Sequence, residues 1–127
     1  MSSAIRWAMA LLATLGLGLA GCTTTNSTES FQLAEFSISG PTTLGEDTES
    51  ISVANSGSYP HTLVVTDTDG AVVAATGLLQ PGETTGLALE LGTGTFSFTC
   101  RIVAEDDEGR LVDHFEAGMH TTVSVSG

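Results

Sequence analysis

Four residues of this chain, His61, Cys100, His114 and Met119, are of types that could hold a metal ion together. A thiolate is a soft anionic donor, an imidazole is a neutral nitrogen donor and a thioether is a weak soft one. A thiolate with two imidazoles serves both oxidation states of copper tolerably well, and a long thioether contact adds little to either. Such a set rearranges little when an electron arrives or leaves, which permits fast exchange. Taken singly, each residue has an ordinary reading: His61 as a satisfied strand histidine, Met119 as core filler, Cys100 as an inert buried thiol. Their order favours the metal site, as does Gly118, which lets the backbone approach closely just before Met119. A Cys-His-His set also suits zinc, but zinc leaves Met119 without a role.

Cys100 is one of only two cysteines. The other, Cys22, closes the run Leu19-Ala-Gly-Cys22 after the apolar stretch from Trp7 to Ala20, which Arg6 precedes. A charged residue followed by an apolar run of this length reads as an export signal, too short for a membrane span. The triplet before Cys22 resembles a lipobox, which implies cleavage before Cys22 and diacylglyceryl modification of its sulfur. Residues 1–21 are therefore read as a lipoprotein signal peptide. Cys100 is then left without a disulfide partner in an exported protein, where an unpaired thiol calls for a use. The polar run Thr23 to Ser30 makes residues 22–30 a lipid-anchored tether. Residues 31–127, 97 in all, suffice for one small domain with a single core. The expected location is the outer face of the cytoplasmic membrane or the periplasm.

The chain carries 15 Asp and Glu against three Arg and no Lys, a formal net charge of −12. Nothing in it can neutralise a run of phosphates, so nucleic acid is excluded as a partner. The acidity serves solubility, or it attracts a redox partner with a basic surface. Enzyme activity is not expected: there is no Gly-x-Ser-x-Gly elbow, no phosphate-cradling glycine loop and no paired histidines of a zinc protease.

The periodicity is that of strands. Short alternating or apolar runs occur at 36–38, 51–53, 63–65, 72–73, 87–91, 96–98 and 123–125, separated by turn clusters such as Asp69-Gly70, Pro81-Gly82 and Gly92-Thr-Gly94. Seven to eight short strands at this spacing predict an all-β fold, an antiparallel β-sandwich of Greek-key type.

The stretches Val53-Ala-Asn55-Ser-Gly57-Ser-Tyr-Pro60-His61, Leu79-Gln-Pro81-Gly82, Gly94-Thr-Phe96-Ser-Phe98-Thr-Cys100 and His114-Phe-Glu-Ala-Gly118-Met119 together resemble the cupredoxins, especially the plastocyanin-like members. The resemblance spans nearly all of residues 31–127. It implies a carrier of single electrons on one copper ion, with His61, Cys100, His114 and the weak axial Met119 as ligands; together with the lipobox at Cys22 this reads as a lipid-anchored carrier, expected to be a monomer. Copper delivery or sequestration is an alternative, as is a metal-free interaction module. Thr62 stands where many members place an asparagine that ties two ligand loops together.

The chain departs from that family between Cys100 and His114, where 13 residues replace the usual few. Arg101-Ile-Val-Ala and Arg110-Leu-Val-Asp113 flank the acidic turn Glu105-Asp-Asp-Glu-Gly109, a hairpin pattern. A turn centred on Asp107 would set Val103 opposite Leu111, Ile102 opposite Val112 and Cys100 opposite His114. Such a hairpin would project from the ligand end, where it docks a partner, caps the metal or is a decorative loop without a role. His120 follows Met119 directly, but neighbours on a strand face opposite ways, so only one of the two can face a metal.

Overall fold

The computed structural model describes residues 28–127. Arg6, the apolar stretch and Cys22 lie outside the described residues. Among the described residues no helix is long and apolar enough to cross a membrane.

Eleven strands form two facing sheets and a separate hairpin. The first sheet has β1 (Glu29–Ala34), β2 (Ser37–Ser39), β4 (Ser50–Asn55) and β7 (Thr84–Ala88), in the order β2-β1-β4-β7. The second has β3 (Thr43–Gly45), β5 (Val64–Thr66), β6 (Val72–Ala75), β8 (Gly94–Thr99) and β11 (His120–Ser126), in the order β3-β11-β8-β5-β6. The hairpin is β9 (Val103–Glu105) with β10 (Leu111–Asp113).

Period-two alternation explains which side chains meet between the sheets. Phe31 and Leu33 on β1, Ile51 and Val53 on β4, Phe96 and Phe98 on β8, and Val123 and Val125 on β11 all point inward and are buried. Phe31 and Phe98 join the two layers, their ring centroids 4.9 Å apart. The all-β sandwich expected from the sequence is present, with more strands than the seven to eight anticipated. β1 and β3 were not among the expected runs, and the 101–113 segment adds two more. β1 opens at Glu29, two residues before the expected domain start at 31.

The pairing is mixed rather than purely antiparallel, because β1 runs parallel to β4 and β3 parallel to β11. Alternation tells which face of a strand is buried and says nothing of its neighbour's direction. The chain passes from β2 in the first sheet to β3 in the second before returning to β4, so these pairings are made by residues far apart in sequence.

The hairpin register also differs from the expected one. Leu111 lies opposite Glu105, Val112 opposite Ala104 and Asp113 opposite Val103, and the N–H of His114 bonds to the carbonyl of Ile102 at 2.9 Å. His114 is thus opposite Ile102 rather than Cys100. The turn chemistry causes this two-residue shift. Asp106 Oδ1 accepts the N–H groups of Glu108 and Arg110, both at 2.9 Å, and Gly109 takes a φ of 75°. The turn therefore begins at Asp106 and places its left-handed residue at Gly109, which centres it beyond Asp107. Asp67 to Ala71 repeats this turn between β5 and β6, with Gly70 at a φ of 80°.

Candidate metal centre

Cys100 and His114 directly follow strands, Met119 directly precedes one, and His61 lies in the loop between β4 and β5. His61 follows the loop after β4 and is tied by a two-way backbone bridge to Leu79, 3.0 Å and 2.8 Å. Asn55, 1% exposed, holds that loop from inside. Its Oδ1 accepts the N–H of Gly57 at 2.9 Å, and its Nδ2 donates to the carbonyls of Tyr59 at 2.8 Å and Leu79 at 2.9 Å. Cys100 directly follows β8, and its N–H bonds to the Met119 carbonyl at 3.0 Å. His114 follows β10. The N–H of Met119 then returns to the His114 carbonyl at 3.0 Å, closing a tight loop in which Gly118 has a φ of 120°.

The loop closure brings three donor atoms together. His61 Nδ1 and His114 Nδ1 are 3.2 Å apart, and Cys100 Sγ lies 3.9 Å from the first and 3.7 Å from the second. All three residues are buried, and Cys100 is a free thiol. Among the described residues this is the group of His, Cys, Asp and Glu donors close enough to hold a metal ion. Met119 is fully buried where β11 begins, whereas His120 is exposed with its ring 4.9 Å from that of Phe115. The strand alternation thus sends Met119 inward and His120 outward.

Burial pushes the pKa of His114 down, and the neighbouring His61 adds to this against the opposing pull of Glu35 and Asp113. A neutral imidazole is the form that ligates a metal. The donor chemistry also fits copper: one thiol, two imidazole nitrogens and a buried thioether close by are a soft, mixed set. Thr62 has its Oγ1 4.0 Å from Cys100 Sγ, a side-chain contact between the His61 loop and the thiol.

The fold has counterparts among solved proteins. Auracyanin from Roseiflexus castenholzii superposes with a TM-score of 0.57 at 17% identity, covering 77% of this chain and 95% of that one. A purple cupredoxin from Nitrosopumilus maritimus gives 0.51 at 18% identity, covering 76% and 98%. The fold is that of the cupredoxins. An amicyanin variant in its Cu(I) form shares this cupredoxin sandwich as well, at a TM-score of 0.51 and 12% identity over 81% of this chain and 86% of that one. No family model matches the sequence, and no curated protein does either.

Several residues around the donors were not singled out from the sequence. Glu35 Oε1 lies 3.1 Å from His61 Nε2, and the Phe36 ring packs against His114 with centroids 5.2 Å apart. Over His114 the inner face of the hairpin, Ala104 and Val112, forms a cleft with Phe36 and Tyr59. At the turn, the Asp107 carboxylate beside the Tyr59 phenol pushes the phenol's pKa up. The hairpin therefore leans over the site toward the His61 loop and leaves His114 only 3% exposed. Asn55 carried a signal in sequence, the Asn-Ser-Gly turn. Glu35 carried none, because only the sandwich brings the end of β1 beside the loop before His61.

Proposed function

We propose that this protein is an exported, lipid-anchored carrier of single electrons that holds one copper ion through His61, Cys100 and His114, with Met119 as a weak fourth contact. The observation that carries this reading is the convergence of two Nδ1 atoms and one Sγ within 3.2–3.9 Å in a buried pocket. The bound ion would supply a one-electron couple. The chain's own contribution is to keep the donors in place. His61 is fixed by Asn55 and Leu79, and Cys100, His114 and Met119 are fixed by their mutual backbone bonds. The amicyanin of the same fold was solved with Cu(I), in keeping with this choice of metal.

A redox partner with a basic surface belongs to the same reading. The register puts Val103, Glu105, Leu111 and Asp113 on the outer face of the hairpin, where Val103 is 56% and Leu111 73% exposed. The nearby cations are already engaged. Arg110 pairs with Asp106 and Glu108, and Arg101 lies over the Phe115 ring at 4.0 Å. What remains outward is an apolar centre with an acidic rim, suited to a partner with lysines or arginines around its own electron port.

Copper(II) added to the purified soluble domain should produce an intense thiolate-to-copper band in the visible and a matching paramagnetic resonance spectrum, both absent in Cys100→Ala. A protein that binds copper but stays locked in the cuprous state would point instead to metal delivery or storage. A wild type with an unoxidised thiol that binds no copper would overturn the proposal.

A further inference from the structure

The carboxylate of Glu35 makes three contacts through one oxygen. Its Oε1 accepts the N–H of Ser58 at 2.6 Å and that of Tyr59 at 2.8 Å, and it lies 3.1 Å from His61 Nε2. Gly57 makes room for this arrangement, since a Cβ there would meet Glu35 Oε1 and come within 3.0 Å of His61 Nε2. Two backbone N–H donors converge on this one carboxylate oxygen, an arrangement that favours the ionised form. Near neutral pH the group is an anion, and an ionised carboxylate can only accept hydrogen bonds. The proton of a neutral His61 must then sit on Nε2, which leaves Nδ1 bare and facing Cys100 and His114.

From this geometry we infer that Glu35 is a positioning residue for the metal centre: it selects the His61 tautomer that presents Nδ1 inward, and its charge biases the site toward the oxidised ion. The inference rests on the copper reading given above. The bias follows from sign alone. A negative charge hydrogen-bonded to the far nitrogen of a ligand makes that ligand a stronger donor and stabilises the more positive state of the ion. Its side chain is 25% exposed, so solvent screens part of the effect. The two backbone donors and the ring hold the carboxylate in one place, and the hydrogen bond therefore sets the ring's orientation as well as its proton.

Glu35→Gln tests the charge without removing the acceptor, since the amide oxygen can still take all three contacts. Glu35→Ala removes both. In the metal-free wild type, nitrogen-15 resonance should show His61 protonated at Nε2. Glu35→Gln should keep that tautomer, and Glu35→Ala should mix the two. In the copper-loaded protein, Glu35→Gln should shift the preference from Cu(II) toward Cu(I) about tenfold, a rise of about 59 mV for a one-electron couple. Wild-type His61 protonated at Nδ1, or an unchanged tautomer in Glu35→Ala with an unchanged potential in Glu35→Gln, would overturn the inference. Failure of the wild type to bind copper at all would sink the functional proposal instead, and the metal-free tautomer measurement would still decide the positioning role.

Discussion

Asn55 anchors the site without touching any donor atom. Three hydrogen bonds radiate from its buried amide to Gly57, Tyr59 and Leu79, and Leu79 is the residue whose backbone brackets His61. Replacing it with alanine strips a partner from each of these groups, although the Leu79 carbonyl keeps the N–H of His61. Asn55→Ala should lower stability by about 1–3 kcal/mol, measured by urea unfolding of the metal-free domain. Copper affinity should fall with it, because the loop that orients His61 loses its internal brace. An equally stable variant would mean that the backbone bridge to Leu79 suffices alone.

At the scale of the element, the 101–113 hairpin separates into a support and a cover. Its base pairs Ile102 with His114 and so helps place that ligand. Its outer part supplies no donor and lies over the cleft beside His114. A variant in which residues 104–112 are replaced by Asn-Gly joins the paired Val103 and Asp113 through a two-residue turn. It should still bind copper with the wild-type colour and lose the ion faster to a cuprous chelator, because His114 is uncovered. Its electron transfer to cytochrome c, a basic haem protein, should be several-fold slower at low salt and should depend less on ionic strength. A shortened protein that folds but cannot hold copper would show that the outer hairpin builds the site.

The whole molecule is strongly acidic: all 15 carboxylate side chains of the chain fall within residues 28–127, against Arg101 and Arg110. A domain of this charge has no basic patch with which to adhere to an anionic surface, so the proposed membrane attachment rests on Cys22. With Cys22 lipidated, the protein should fractionate with membranes when expressed in a bacterium that processes lipoproteins. Cys22→Ser should release it or leave the precursor uncleaved, read by fractionation and mass spectrometry of the N-terminus. Unchanged processing and membrane association in that variant would remove the anchor from the proposal.

Much of this was legible in the residues themselves. Alternation at Ile51 to Val53, Phe96 to Phe98 and Val123 to Val125 marks strands with one buried face, and the chemical types of His61, Cys100 and His114 mark them as candidate donors, which the structure brings together. Both signals are local, because the side-chain period of two and the chemical type of a donor are properties of single residues and near neighbours. The sequence also indicated the hairpin, but its register depended on which acidic residue opens the turn. Asp106 decided that through its own hydrogen bonds to Glu108 and Arg110. What only the tertiary structure decided is non-local. The parallel pairing of β1 with β4 and of β3 with β11 joins segments with other strands between them. Glu35 reaches the ring of His61, 26 residues on, only because the end of β1 and the loop after β4 meet at the same end of the sandwich.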